Sequence, residues 1–159
     1  MKTYEFSIIA SGLDETADDF EGRFYDNGCD DATVSFQKGN IILDFAREAD
    51  SLNDAIESAI TDVRHTGAKV ERVEPDPLVS LTDIAARSGI SKAAVSLYVA
   101  NKRGEGFPSP CARVTTSTPL WQWSVVAKWM VSRGVISGNV FDDAVTLQRV
   151  NARLELEPA

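Results

Sequence analysis

The residue types able to do covalent or metal chemistry are few and poorly spaced for it. His65 is the only histidine in the 159 residues, and Cys29 and Cys111 are the only cysteines. Neither cysteine lies in a C-x-x-C or mixed Cys/His ligand spacing, and the sequence supplies no candidate base for either thiol, so both read as reduced, buried or half-buried side chains. His65 falls in the last turn of a predicted helix, where the negative helix end accounts for it. Asp18/Asp19, Asp30/Asp31 and Asp142/Asp143 are adjacent pairs and not Ca²⁺-loop spacings, so they read as solvated faces. No glycine-rich phosphate loop occurs. No catalytic site, metal or cofactor is therefore expected, and the chain reads as a non-enzyme.

The polar residues that do form a pattern lie between Ser80 and Arg103. Ser80 followed by Asp83 reads as a capping box, Leu81, Ile84 and Ala85 recur at helical spacing, and Gly89 supplies a positive φ at the helix end. Ile90 then points into the angle of a turn, and Ser91 caps a second helix. Val95, Tyr98 and Val99 are its predicted buried stripe, which leaves Lys92, Ala93, Ser96 and Leu97 on the opposite side. Two short helices joined this way form a helix-turn-helix, whose second helix can enter the major groove of DNA.

The continuation extends the pattern. After Lys102 and Arg103 come G-E-G-F-P-S-P, then a predicted β-hairpin C-A-R-V-T-T-S-T-P-L-W-Q-W, then Ser124 capping a helix V-V-A-K-W-M-V-S-R-G. The order helix, turn, helix, wing, helix resembles the winged helix-turn-helix of the MerR, excisionase and prophage-regulator families. In those families F-P-x-P precedes the wing, and a Trp precedes a final helix ending in Trp-hydrophobic; Phe107, Pro108, Pro110, Trp123 and Trp129 stand at the matching places. The resemblance covers about residues 79–135. It implies that Ser91 and Asn101 touch phosphates, that Lys92, Ala93, Ser96 and Leu97 face base edges with Lys92 the strongest reader, and that Lys102, Arg103 and Arg113, with Thr115, Thr116 and Ser117 at the wing tip, supply backbone contacts. Trp121, Trp123 and Trp129 allow two readings, stacking on unpaired bases or a common core under the wing.

Charge follows the same division. The chain carries a net charge of −8, which taken whole opposes nucleic-acid binding. Residues 1–75 hold 17 acids and 7 bases, a balance of −10, whereas residues 77–138 hold only Asp83 and Glu105 against 7 bases, a balance of +5. The basic stretch coincides with the predicted DNA reader. No signal-peptide pattern and no membrane-length apolar run is present, which predicts a soluble, cytoplasmic protein.

The acidic stretch has its own order. Tyr4, Phe6, Ile8 and Ala10 alternate as in a half-buried strand; Asp14 can cap a helix to about Asn27 with Leu13, Ala17, Phe20 and Phe24 on one face. Thr33–Gln37 and Ile41–Ala46 flank Lys38-Gly39-Asn40 as a hairpin, Ser51 and Asp54 open a helix with the stripe Leu52, Ala55, Ile56, Ala59, Ile60 and Val63, and Lys69–Val73 is a last strand. This β-α-β-β-α-β order predicts a ferredoxin-like domain; at −10 an RNA-binding sheet face is not expected. Glu74-Pro75-Asp76-Pro77 reads as a short stiff linker. Asn139 can cap a terminal helix along Val140, Ala144, Leu147, Val150 and Leu154, interrupted by Asn151, which either docks on its own domain or forms an intermolecular coiled coil.

The expected architecture is therefore α+β: an acidic ferredoxin-like domain (1–75), a winged helix-turn-helix domain (76–138) and a C-terminal helix (139–159). The whole chain is also similar to a group of bacterial, especially actinobacterial, proteins known only as helix-turn-helix proteins. The expected function is a DNA-binding transcriptional regulator on double-stranded DNA, acting as a homodimer, with the acidic domain serving oligomerisation, partner binding or ligand sensing. The alternative is an antitoxin-like or adaptor protein whose acidic domain grips a basic protein partner, with autoregulatory DNA binding.

Overall fold

The computed structural model describes residues 1–157, and the chain divides into two compact units: residues 1–75 with those from Arg149 onward, and residues 76–148. Both strands and helices are present, and the larger sheet is four-stranded and antiparallel.

In the first unit the elements run β1 (Lys2–Ser11), α1 (Phe20–Asp26), β2 (Ala32–Gln37), β3 (Asn40–Ala49), α2 (Leu52–His65) and β4 (Lys69–Glu74), with strand order β2-β3-β1-β4. Period-two alternation puts Phe6, Ile8 and Ala10 of β1 and Ile41, Leu43 and Phe45 of β3 on the buried face. Phe6 and Phe45, directly opposite in register, stack at 5.3 Å. The predicted stripe of α2, from Leu52 to Val63, is buried in full, and Ser51 caps the helix by accepting from the Asp54 N–H at 3.0 Å. The β2–β3 turn is tighter than expected. Gln37 pairs with Asn40, and Lys38 (φ 52°) and Gly39 (φ 82°) form a two-residue turn of the mirror-image type that suits twisted strands.

The first helix differs from expectation. Asp14 does not cap it; its carboxylate instead accepts from the N–H and hydroxyl of Thr16, a local Asx-type turn that competes with helix initiation, and α1 begins only at Phe20. Those two hydrogen bonds also hold the Asp14 carboxyl below its usual pKa. Phe20 and Phe24 are buried as expected, while Ala17 lies outside the helix and is exposed.

At the centre of this unit sits a buried cation. Arg47, 8% exposed, follows Ile41, Leu43 and Phe45 on the inward register of β3. All five of its N–H donors have acceptors: Asp31 twice (2.8 and 3.0 Å), Asp62 (2.9 Å), the Ser58 hydroxyl (3.1 Å) and the Gly28 carbonyl (2.6 Å). Gly28 has φ +94°, and a Cβ there would come within 2.8 Å of the Asp62 carboxylate, so glycine is required twice over.

The second unit contains β5 (Leu78–Val79), α3 (Leu81–Ser88), α4 (Lys92–Val99), β6 (Trp121–Gln122), α5 (Trp123–Ser132) and the start of α6 (Gly138–Leu156). Its core gathers Val79, Ile84, Ala85, Val95, Trp121, Trp123, Val126, Ala127, Met130 and Ala144. Three local expectations change. Val99 is exposed and Ala94 takes its place in the buried stripe of α4. Ser124 is not a cap but a buried residue inside α5, donating to the Gln148 side chain at 2.6 Å. Asn139 lies inside α6, where its side chain accepts from the Ser137 hydroxyl.

The terminal helix spans both units, and Pro158 and Ala159 lie outside the described residues. In the first unit its last turns meet α2 and β4. Arg149 donates to Asn53, Arg153 pairs with Glu57 at 2.8 Å, and Arg64 pairs with Glu157 at 2.6 Å. Asn151, 5% exposed, accepts from the Val73 N–H at 2.8 Å and donates to the Val73 carbonyl at 2.9 Å. Its amide closes the outer edge of β4 as a neighbouring strand would. The polar interruption in an apolar stripe is the group that satisfies a buried strand edge.

Candidate nucleic-acid interface

The two helices α3 and α4 are fixed at every end by local chemistry. Ser80 and Asp83 form a complete capping box: the Ser80 oxygen accepts from the Asp83 N–H at 3.2 Å, and the Asp83 carboxylate accepts from the Ser80 N–H at 3.0 Å. Gly89 ends α3 with φ 73°, its N–H bonded to the Ala85 carbonyl, and Ser91 caps α4 by accepting from the Ala94 N–H at 3.1 Å.

Asn101 is explained by the end of α4. It has φ 57°, its N–H bonds to the Tyr98 carbonyl, and the Lys102 N–H bonds to the Leu97 carbonyl at 2.8 Å. That is the paired 5→2 and 6→1 closure of a Schellman motif, in which Asn is one of the few residues tolerated in left-handed backbone. The turn projects Lys102 and Arg103, both exposed, directly from the helix end.

Along α4, Lys92, Ala93 and Ser96 are exposed and share one face by i, i+3 and i, i+4 spacing, with Ser91 exposed at its start. Leu97 is half-buried and so forms the margin of that face. The helix carries no acid. Alanine and serine leave the face low, so a groove wall could approach closely, and Lys92 is the one long donor on it.

The segment between α4 and β6 is anchored by aromatic donors. The Trp121 indole N–H donates to the Pro108 carbonyl at 3.0 Å, and the Trp129 indole N–H donates to the Glu105 carbonyl at 3.2 Å. Tyr98, Phe107 and Trp129 pack as rings 5.1–6.4 Å apart, and Arg133 lies over Trp129 while also donating to the Glu105 carbonyl. Trp121 and Trp123 are buried in the core and Trp129 is partly buried against it. The three indoles hold the fold and do not form an exposed stacking platform.

The expected wing is reduced. Among the described residues only Ala112 and Leu120 pair there, and β6 takes β5 as its strand partner, Val79 opposite Trp121. Arg113 adopts φ 53°, left-handed backbone that turns the chain out of the extended conformation directly after the pair of Ala112 and Leu120. Between them lies an exposed loop carrying Arg113, Thr115, Thr116 and Ser117. The Thr116 hydroxyl donates to the Arg113 carbonyl at 2.7 Å, which occupies its donor in holding the loop.

One basic residue leaves the surface inventory. Arg87 is half-buried, its guanidinium stands over the Trp123 ring at 5.7 Å, and its Nη1 is buried with no hydrogen-bond partner among the described residues. Burial lowers its pKa, with the Asp83 and Asp76 charges acting in the opposite direction. The remaining bases of this unit, Lys92, Lys102, Arg103, Arg113, Lys128 and Arg133, are all exposed.

Elsewhere, Cys29 is buried and Cys111 exposed, and both are free. Burial, followed by the charge of Asp62, pushes the Cys29 thiol up to about 11, so it is held neutral. His65 is exposed at the last position of α2. Among the described residues no group of His, Cys, Asp and Glu is placed to hold a metal ion, and no helix is long and apolar enough to cross a membrane. The signal for Arg47 was present in the sequence as its inward register on β3; nothing local to it names Asp31, Asp62 and Gly28 as its acceptors. Comparison with protein-family models, with characterised proteins and with solved structures finds no significant match for this chain.

Proposed function

We propose that the chain is a double-stranded-DNA-binding regulator of transcription, with residues 76–148 as a winged helix-turn-helix reader in which the wing is a short loop. The observation that carries this reading is the outer face of α4. It is exposed, free of acids, low enough for close approach and tipped with Lys92 at one end and Lys102 and Arg103 at the other, in a chain that is otherwise strongly acidic. The capped, glycine-separated α3 and α4 supply the rigid support that a reading helix needs. In this reading Ser91 and Asn101 lie against phosphates, Lys102, Arg103, Arg113, Thr115 and Thr116 hold the backbone, and Lys92, Ala93 and Ser96, with Leu97 at the margin, meet base edges. The MerR, excisionase and prophage-regulator resemblance points the same way, and this reading would place the protein in the bacterial cytoplasm.

The first unit is read as a ferredoxin-like domain, supported by its element order and by the strand order β2-β3-β1-β4. In this reading it serves oligomerisation, partner binding or ligand sensing. Its balance of 17 acids against 7 bases also favours a second reading, an antitoxin-like or adaptor protein whose acidic domain grips a basic partner while DNA binding autoregulates.

Selection of bound fragments from random duplex DNA tests the leading reading. Enrichment of a motif is expected, with Lys92→Ala relaxing preference at one position by about 1–3 kcal/mol. Recovery of no fragment above background by the folded protein would refute it.

A further inference from the structure

The two edges of the four-stranded sheet are treated differently. The outer edge of β4 is bonded at Val73 by Asn151, whereas β2, at the other end of the order β2-β3-β1-β4, pairs among the described residues only with β3. Gln37 and Asn40 close a two-residue turn as a hydrogen-bonded pair, so by the alternation of an antiparallel ladder Ser35 and Thr33 also bond to β3. The N–H and C=O of Val34 and Phe36 then face outward. Natural edges are normally blunted by lysine, proline or a bulge. The run Ala32–Gln37 has none of these and carries no charge at all, within a stretch whose balance is −10.

Beside this edge runs a groove of about 600 Å³ between α1 and β2, lined by Tyr25, Cys29, Ala32 and Val34 among others. Tyr25 is 66% exposed and Phe36 40% exposed, two large apolar side chains flanking the open edge of β2. These are the features of a site for strand addition, in which backbone bonds supply affinity and alternate side chains enter a groove.

We propose that β2 is the dimer interface of this protein, pairing antiparallel with β2 of a second copy to make one continuous eight-stranded sheet. A two-fold axis at Ser35 places Val34 opposite Phe36 of the second copy and the reverse, which pairs the outward N–H and C=O of both residues on each strand. The charges complement one another under that axis. Lys38 ends the strand on one side and Asp30 precedes it on the other, both exposed, so each Lys38 approaches the other copy's Asp30 while the neutral centre brings no acid against acid. This surface would carry the dimer expected of a DNA-binding regulator. Its test involves no DNA, so failure of one leaves the other standing.

Sedimentation velocity on the full chain, over a concentration series, reads the assembly directly. A monomer–dimer equilibrium is expected. Val34→Pro removes an outward N–H without touching the β3 ladder, and Phe36→Lys installs the missing edge charge; each should leave the circular dichroism spectrum intact and abolish the dimer. Lys38→Glu and Asp30→Lys should each weaken dimerisation roughly three- to thirty-fold, from two exposed ion pairs per dimer, and the double swap should restore it. Amide exchange at Val34 and Phe36 should slow as concentration rises through the transition. A monomer at every concentration up to about 100 μM, well above the range of specific small interfaces, would overturn the proposal. So would a dimer indifferent to Phe36→Lys, or one in which the Val34 and Phe36 amides stay unprotected.

Discussion

Replacing Asn151 by Ala should weaken the first unit more than removal of any exposed side chain of α6. The variant deletes two hydrogen bonds, of 2.8 and 2.9 Å, to a single buried residue, and it leaves the Val73 N–H and C=O without partners at the sheet edge. An orphaned buried polar group costs about 1–3 kcal/mol, so two give about 2–6 kcal/mol if no water reaches the edge. That is a large fraction of the roughly 5–15 kcal/mol stability of a small domain. Asn151→Asp sharpens the test through its pH dependence. A carboxylate can accept from the Val73 N–H but repels the Val73 carbonyl, whereas the protonated acid can donate to it, so the folded pKa of this aspartate is raised above its unfolded value. The stability it contributes is present below the unfolded pKa and is lost as pH rises through the folded one. Asn151→Asp should therefore approach the wild type at acid pH and fall away toward neutrality, while Asn151→Ala shows no such gap. Urea unfolding by circular dichroism gives the stability, and amide exchange at Val73 places the change. A shift in Asn151→Ala below about 0.5 kcal/mol, the range of ordinary surface changes, with Val73 still protected, would refute the edge-closure argument.

Arg47→Met should destabilise the first unit by about 3–5 kcal/mol, because it removes the cation that bridges Asp31 and Asp62; thermal unfolding checks this, and a change under about 1 kcal/mol would show the cluster to be dispensable. Of the two thiols, Cys111 alone should react with a disulfide reagent at about pH 8 in the native protein, with both reacting in urea. Because the folded Cys29 pKa of about 11 exceeds its ordinary value of 9.0, stability should decline as pH rises from 9.0 toward 11, and Cys29→Ala should flatten that decline. Ser80→Ala should cost about 1 kcal/mol by removing the oxygen of the α3 cap, read by urea unfolding followed through Trp121, Trp123 and Trp129, all in the second unit.

The parts of the fold that are legible in the sequence are those set by neighbours along the chain. The Ser80–Asp83 box, Gly89 and Ser91 need only a few adjacent residues to act, and they act as expected. The α2 stripe and the alternation of β1 and β3 are readable because each period repeats several times. Where two local choices compete, periodicity and capping rules do not decide: Asp14 closes a turn with Thr16 in place of capping a helix, and Ser124 is taken into the core by Gln148. The short wing depends on the unforeseen left-handed backbone of Arg113. Residues 149–157 belong with the first unit, which no local pattern states, although Asn151 in an apolar stripe is the visible sign that a buried polar group awaits it. At the candidate interface, the exposure of Lys92, Ala93 and Ser96 follows from helical periodicity, whereas the margin position of Leu97 and the backbone role of Asn101 require the helix end itself.

The most direct measurement of the central claim is the affinity of the full chain for duplex DNA across a salt series, before and after neutralising Lys92, Lys102, Arg103 and Arg113 together. The wild-type plot of log affinity against log salt should be steep. Removing a basic side chain that neutralises one phosphate should flatten it by about 0.9, with affinity falling at every salt concentration. Affinity and slope left unchanged by all four substitutions in a folded protein would contradict the assignment of this face to DNA.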